Sequence, residues 1–491
     1  MTIDQNTRPD FVATTVDTDA ENPYLLGIYA PVHQEIDARD LEVVGEIPRD
    51  LNGVYLRNGP NRRYKALGRY HWFDGDGMIH ALHFENGTAR YQNRWVRTEA
   101  FKAESAAGKS LWTGVVENPA NNPFGNHHGL GIKDSANTDL IHYRGKVLAT
   151  WYLCGSPMAI DPLSLQTIGA EDFLGTLHGD MMAHPKTDER TGELFWFDYG
   201  PQAPYMRYGV AGADGAISSV TDIDLPGPRL PHDMGITDHY AILMDLPLIQ
   251  DEAARRAGRY RIQFEAELPA RFAILPRYAT DQSQLKWFEA SPCYIYHVVN
   301  SWEEGDEVVM DVCRTRQGQH ARIEIKTPLA QMLAYLKMDA QLWRYRFSLK
   351  TGQTTEGPRD EDKTEFPSID NRLAGQKNRY TYNAHIAQAE TVLFDGITRY
   401  DLQTGDAANY RYGDGRFGSE SPFAPRDGSN GDDDGYLVSF VTDENDQSSV
   451  VEVLDAADIA AGPVATIKLP QRVPLGFHAT WLRPDQLNTS A

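Results

Sequence analysis

A strand, a tight turn that opens on Asp or Ser and closes on Gly or another small residue, and a second strand recur from one end of this chain to the other. The unit appears over residues 145–161 with the turn Pro162-Leu163-Ser164, at Asp188-Glu189-Arg190-Thr191-Gly192 before ELFWFDYG, and at Ala213-Asp214-Gly215. It returns at Ser348-Leu349-Lys350-Thr351-Gly352 after LWRYRF and at Asp401-Leu402-Gln403-Thr404-Gly405 after GITRY. A final copy, GYLVSFVTDENDQSSVVEVLDAADIAAGPVATIKLP, joins several strands. Short strands punctuated in this way suit a sandwich, a barrel or a propeller. Repetition along the whole chain selects the propeller, whose blades need neighbours to bury both faces. Two segments read instead as helices set in loops above the blades, residues 248–258 and residues 328–338 (PLAQMLAYLKM). No linker divides the chain, so a loose arm over residues 1–21 and a single domain over 22–491 are expected.

Composition narrows the function. Across 491 residues the net charge is −22, which leaves no basic footprint for a nucleic acid. The opening MTIDQNTRPDFVATT lacks the basic start and apolar stretch of a secretory signal, and no apolar run is long enough to span a membrane. Three cysteines, Cys154, Cys293 and Cys313, form no CxxC, which suggests buried thiols in a reducing compartment. A cytoplasmic location is expected. No GxGxxG or P-loop lies between a strand and a helix, so no nucleotide cofactor is expected.

Residues 293–311, CYIYHVVNSWEEGDEVVMD, show the repeating unit most clearly. Tyr294, Ile295, Tyr296, Val298 and Val299 form the first strand, Glu303, Glu304, Gly305 and Asp306 the turn, and Val308 to Val312 the return. His297 interrupts the first strand where a hydrophobe is expected. A single histidine there is ordinarily a core residue bonded to backbone. Three others of the 15 histidines sit in comparable places: His184 at a strand end in MMAHPKTDERTG, His232 entering a strand in RLPHDMGITDHYAIL, and His478 within RVPLGFHATWL. The inner strands of a propeller converge on one axis. Four neutral nitrogen donors there suit a borderline divalent metal such as iron or zinc. No HExxH and no cysteine pair accompanies them, which speaks against a zinc protease or zinc finger.

Six motifs then carry a resemblance. RNGPN at 57–61, FDGDGM at 73–78, AHPKTDERTGEL from Ala183, HDMGIT from His232, YHVVNSWEEGD from Tyr296 and PLGFHATW from Pro474 resemble, in order, those of the carotenoid cleavage oxygenase family. NPYLLGIYAPV at 22–32 resembles its entry segment, so the likeness runs over about residues 22–481. It implies an all-β, seven-bladed β-propeller with a helical and loop dome over a non-haem Fe(II), whose ligands fall on His184, His232, His297 and His478. His71, His80, His127, His128 and His385 match no ligand motif and read as structural or surface residues.

The resemblance also implies residues around the ligands. A metal-bound imidazole needs a partner on its second nitrogen, commonly a carboxylate. Glu365 in TEFPSID is expected behind His297, and Glu420 in GSESPFAPRDG behind His478. The place of a third glutamate falls on Leu153, which leaves His232 to be oriented by water, a backbone carbonyl or another side chain. Thr138 in SANTDLIHY matches the position whose methyl group crowds the iron's vacant site, leaving one open for O2. Of Trp72, Phe73, Phe101, Trp112, Phe124 and Trp302, some are expected along a substrate tunnel and most in the core.

The activity implied is Fe(II)-dependent cleavage of a conjugated carbon–carbon double bond by O2, giving two carbonyl products. Four neutral ligands leave the ion its full charge as a Lewis acid. The substrate is an apolar polyene or an aromatic alkene. Members that cleave stilbenes or phenylpropenoids of the lignostilbene and isoeugenol type hold a 4-hydroxyl group with a tyrosine and a lysine. Here Val116 falls at the tyrosine position, and the lysine's place falls near Tyr152. A buried phenolate without partners is costly, so an apocarotenoid is the expected substrate. A monomer is expected, and residues 329–336 offer a peripheral membrane contact for loading. A non-oxidative isomerase of the same family, a lactonase-like propeller with a carboxylate-held metal, and a non-catalytic propeller that binds proteins are the competing readings. The lactonase-like propeller needs Asp, Glu or Asn ligands on the axis, and the non-catalytic one gives no reason to place histidines on the inner strands.

Overall fold

Strands from opposite ends of the chain share blades, and this closes the ring. In the computed structural model the described residues are 19–115, 117, 133–251, 262–315 and 338–487. The first blade runs, from its outer edge inward, through Asp37–Ala38, Thr88–Trp95, Asp76–Glu85, Gly53–Arg57 and the C-terminal Ala479–Leu482. The last blade takes Val43–Gly45 as its outer edge against Pro463–Lys468, followed by Ser449–Asp455 and Gly435–Asp443. Phe423–Pro425 pairs with Gly435–Asp443 on its inner side. Five four-stranded antiparallel sheets lie between, making seven blades in all. Their leading strands are Asp139–Tyr143, Lys186–Asp188, Gly235–Ile236, Tyr294–Glu304 and Thr364–Ser368; the first two touch each other, and Tyr294–Glu304 touches both Gly235–Ile236 and Thr364–Ser368.

Closure leaves no room for a side chain at Gly53. A Cβ there would lie 2.3 Å from the Leu482 carbonyl oxygen and 2.7 Å from the Trp481 ring, and its φ of +144° already suits glycine. The repeated turn recurs with one conformation in three blades. Gly192, Gly352 and Gly405, with φ between +72° and +83°, donate back to the carbonyls of Asp188, Ser348 and Asp401 at 2.8–2.9 Å. Aromatic side chains fill the wedges between blades. Phe272 of Ala270–Pro276 packs against Tyr345 and Phe347 of the next blade, with ring centroids 4.8 and 4.9 Å apart. Each such ring, removed from water, contributes about 1.5–3 kcal/mol.

The structure corrects two local expectations. Where residues 248–258 read as a helix, Leu248–Gln250 is a strand paired with Ile262–Phe264, and residues 252–258 lie outside the described residues. Leu248 and Ile249 are apolar residues that a partner strand can recruit, so the short apolar run did not discriminate. The turn expected at Glu303–Asp306 is tighter: Glu304 pairs with Glu307, so only Gly305 and Asp306 turn the chain. The expected helix at 328–338 falls on residues 316–337, outside the described part, apart from Met338. Among the described residues, α-helix is confined to Glu99–Ala107 and Pro484–Leu487. No helix of the described residues is long and apolar enough to cross a membrane. The three cysteines are free and buried.

Candidate metal centre

Each blade delivers polar residues to the axis from its leading strand or the turn before it. Thr138 and Asp139 come from the second blade, His184 from the third, His232 from the fourth, His297 from the fifth and Glu365 from the sixth. Glu420 precedes Phe423–Pro425 of the last blade, and His478 precedes the C-terminal strand of the first. Regular strands would not aim all of these inward. The register between Tyr294–Glu304 and its neighbour shifts on both sides of Val298, a bulge that re-aims His297. A second shift lies at Phe366, whose φ is +47°, directly after Glu365. His184 also takes a left-handed φ, +64°, rare for a residue with a side chain. Such outliers persist where surrounding structure holds them, and they gather at functional sites.

The four histidines meet. One nitrogen from each of His184, His232, His297 and His478 lies within 4.8 Å of the others. The Nε2 atoms of His184 and His232 are 3.2 Å apart. His297 and His478 are 4.5 Å apart between ring centroids, and His184 is 4.5 Å from His478. Behind the rings, Glu365 Oε2 lies 2.5 Å from His297 Nδ1, and both Glu420 oxygens lie 3.3–3.4 Å from His478 Nδ1. Asp139 Oδ2 lies 2.7 Å from His184 Nδ1. Phe366 lies flat against His478 at 4.4 Å and tilted by 58° to His297 at 4.8 Å.

This arrangement fits a metal ion. Burial, then the neighbouring histidines, holds His184, His232 and His297 well below the ordinary imidazole range, so they are neutral donors. At His478 burial also lowers the pKa, but Glu420 outweighs it and the net shift is upward; a cation at the centre opposes that protonation. A carboxylate on Nδ1 keeps the proton there and turns the Nε2 lone pair inward. His297 Nε2 is buried with no hydrogen-bond partner. Burial pushes Glu365 up to about 8 and also raises Glu420, a cost that a nearby cation offsets. With metal–nitrogen bonds of about 2.1 Å, opposed donors sit about 4.2 Å apart, close to the spread observed.

Other expected residues fall as follows. Thr138 is buried; its carbonyl accepts from the His478 N–H at 3.3 Å and its hydroxyl donates to Asn137 at 3.2 Å. Leu153 packs in the main apolar core. Trp72 and Phe73 join Phe477 and Tyr152 in an aromatic cluster, with Phe73 5.0 Å from Tyr152 and Trp72 4.5 Å from Phe477. The Tyr152 ring is 6.0 Å and the Tyr296 ring 5.4 Å from His232. Phe101 and Trp112 pack about the helix Glu99–Ala107, and Trp302 is buried under Arg344. His71 accepts from the Phe73 N–H, His80 meets the Tyr91 hydroxyl, and His385 meets Asp395. Val116, Phe124, His127, His128 and residues 329–336 lie outside the described residues. Sequence reasoning missed Asp139 and Phe366. Asp139 carried one signal, an acid beside Thr138 at the start of an apolar strand.

Comparison with known proteins follows the same pattern. The family model described as retinal pigment epithelial membrane protein matches residues 29–483. The carotenoid 9,10(9',10')-cleavage dioxygenase 1 of Phaseolus vulgaris is 36% identical, over 97% of this chain and 92% of the relative. The isoeugenol monooxygenase of Pseudomonas nitroreducens is 32% identical, over 94% and 98%. The crystal structure of the lignostilbene dioxygenase of Pseudomonas brassicacearum superposes with a TM-score of 0.84 at 26% identity, covering 94% of this chain and 99% of that one.

Proposed function

This chain belongs to the carotenoid cleavage oxygenase family and is an oxygenase of that family, and from that premise we propose that it cleaves a conjugated double bond of an apocarotenoid with O2. The observation that carries the reading is the convergence of four histidines beside a wall of aromatic rings. His184, His232, His297 and His478 would hold Fe(II), which when bound supplies a Lewis-acidic centre for O2. Glu365 and Glu420 orient His297 and His478 and hold their protons on Nδ1. Thr138 stands beside His478 and limits access to the ion, while Phe366 holds the rings of His478 and His297 in place.

The aromatic surface supports an extended apolar substrate. Trp72, Phe73 and Phe477 contribute no charged group with which to hold a phenolate. Lys186, whose charge reaches the histidines, is committed to Asp233 at 2.7 Å. The resemblance puts the lysine of the phenol-cleaving members near Tyr152, in a segment without one. Greater identity to the Phaseolus vulgaris enzyme than to the isoeugenol monooxygenase agrees with this choice.

One observation favours a second reading. Tyr152 and Tyr296 both flank His232, and two phenol groups there offer hydrogen bonds to the 4-hydroxyl of a stilbene or phenylpropenoid. Iron-loaded protein assayed with an apocarotenal and with a 4-hydroxystilbene, with chromatography of the aldehyde products, separates the two. Faster turnover of the apocarotenal is expected. Faster turnover of the 4-hydroxystilbene overturns the first reading in favour of the second.

A further inference from the structure

We propose that Asp139 is a positioning residue for the metal centre, doing for His184 what Glu365 does for His297. The inference rests on the four-histidine metal site proposed above, and it concerns a residue that none of the matched motifs assigns.

Two observations carry it. Asp139 opens the inner strand Asp139–Tyr143, and its carboxylate is held at both oxygens: Oδ1 accepts from the Leu140 N–H at 2.7 Å and Oδ2 meets His184 Nδ1 at 2.7 Å. The imidazole is therefore fixed with its proton on Nδ1 and its Nε2 lone pair toward His232, His297 and His478. The second observation is the backbone. His184 sits at φ +64°, a conformation that costs energy and needs an external tie. The hydrogen bond with Asp139 is such a tie, and it is shielded from water, with the His184 side chain 4% exposed and the Asp139 side chain 15%.

The role is specific to this acid. Asp233, adjacent in sequence to His232, has the same opportunity and spends it elsewhere. Its Oδ2 accepts from the Val298 N–H, and its Oδ1 from the Met234 N–H and from Lys186, all at 2.7 Å. Leu153, at the position where a glutamate was expected, is apolar and buried in the core. Carboxylates thus stand behind His184, His297 and His478, and the one behind His184 is an acid that the resemblance did not imply. A charged acceptor strengthens the imidazole as a donor, so Asp139 sets how firmly His184 holds the ion.

The test compares full-length wild type with Asp139→Asn and Asp139→Ala, prepared metal-free and titrated anaerobically with Fe(II) and Co(II) against a chelator. The Co(II) absorption spectrum and the melting temperature of the metal-free protein are recorded alongside. Asp139→Asn keeps the size and removes the charge; it is expected to weaken both metals by roughly 10- to 100-fold. It is also expected to shift the Co(II) bands and leave the metal-free melting temperature at the wild-type value. Asp139→Ala is expected to weaken both metals at least as much. Wild-type affinity and an unchanged Co(II) spectrum in both variants overturn the proposal. So does an affinity loss matched by a loss of metal-free stability, which marks a structural role only. A wild-type protein that takes up neither metal overturns the metal site itself.

Discussion

Glu365 and His297, 68 residues apart in sequence, meet at 2.5 Å between Oε2 and Nδ1 on the inner strands of adjacent blades. The contact depends on two irregularities, the bulge around Val298 and the left-handed Phe366 that follows Glu365. Glu365 Oε2 also accepts from the Phe366 N–H at 2.7 Å, so the same distortion that aims the carboxylate gives it a second donor. With a cation at the centre keeping Glu365 ionised, the bond is charge-assisted and stronger than a neutral one. It is also costly to break, because burial pushes Glu365 up to about 8 and leaves its other oxygen without a partner.

Replacing any one of His184, His232, His297 and His478 with alanine should remove metal binding while the propeller stays folded. Each ring sits on the axis, away from the aromatic wedges that hold blades together. Metal analysis of anaerobically purified protein should find about one iron per chain in the wild type, the load expected of one imidazole site. The far-ultraviolet circular dichroism of each variant should match the wild type. Normal iron content and activity in two of the variants would show the ligand assignment to be wrong.

The glutamates should differ in degree. Glu365→Gln and Glu420→Gln should each weaken metal binding or activity by roughly 10- to 100-fold. The larger effect is expected at Glu365, whose contact is 2.5 Å against 3.3–3.4 Å for Glu420. Chelator competition on the two variants measures this directly. Wild-type affinity and rate in both would remove these residues from the mechanism.

Thr138 separates shape from hydrogen bonding. Thr138→Val keeps a branched side chain and loses only the hydroxyl that donates to Asn137 at 3.2 Å. It should retain near wild-type turnover, whereas Thr138→Ala, which removes the bulk beside His478, should turn over more slowly at unchanged metal content. If alanine performs as well as threonine, steric control of the open site is excluded.

Gly53→Ala tests the closure of the ring. Its Cβ would sit 2.3 Å from the Leu482 carbonyl and 2.7 Å from the Trp481 ring, so the C-terminal strand must shift. A cost of about 1–3 kcal/mol is expected, the usual penalty of forcing atoms into a packed interior. A thermal melt of the metal-free protein reads it. An unchanged melting temperature would show that the C-terminal strand contributes little to closing the propeller.

The repeated unit pointed to a propeller, and the number of its blades came from the family resemblance. Turns from Asp188 to Gly192, Ser348 to Gly352 and Asp401 to Gly405 are local structures, set by one glycine's tolerance of positive φ and one returning hydrogen bond. They could be read without knowing the neighbours, and so could the apolar strand that carries His297. The short run at 248–250 could not, because strand or helix depended on pairing with Ile262–Phe264. What holds the histidine rings was equally hidden. Asp139 and His184 are 45 residues apart, and nothing in either segment marks them as partners. Bulges and left-handed residues at the axis likewise leave no local signature, since they exist only where seven blades converge and impose them. Strand period and turn chemistry act over a few residues and are written in the chain; the orientation of a buried ring is decided by whatever the closed fold brings behind it.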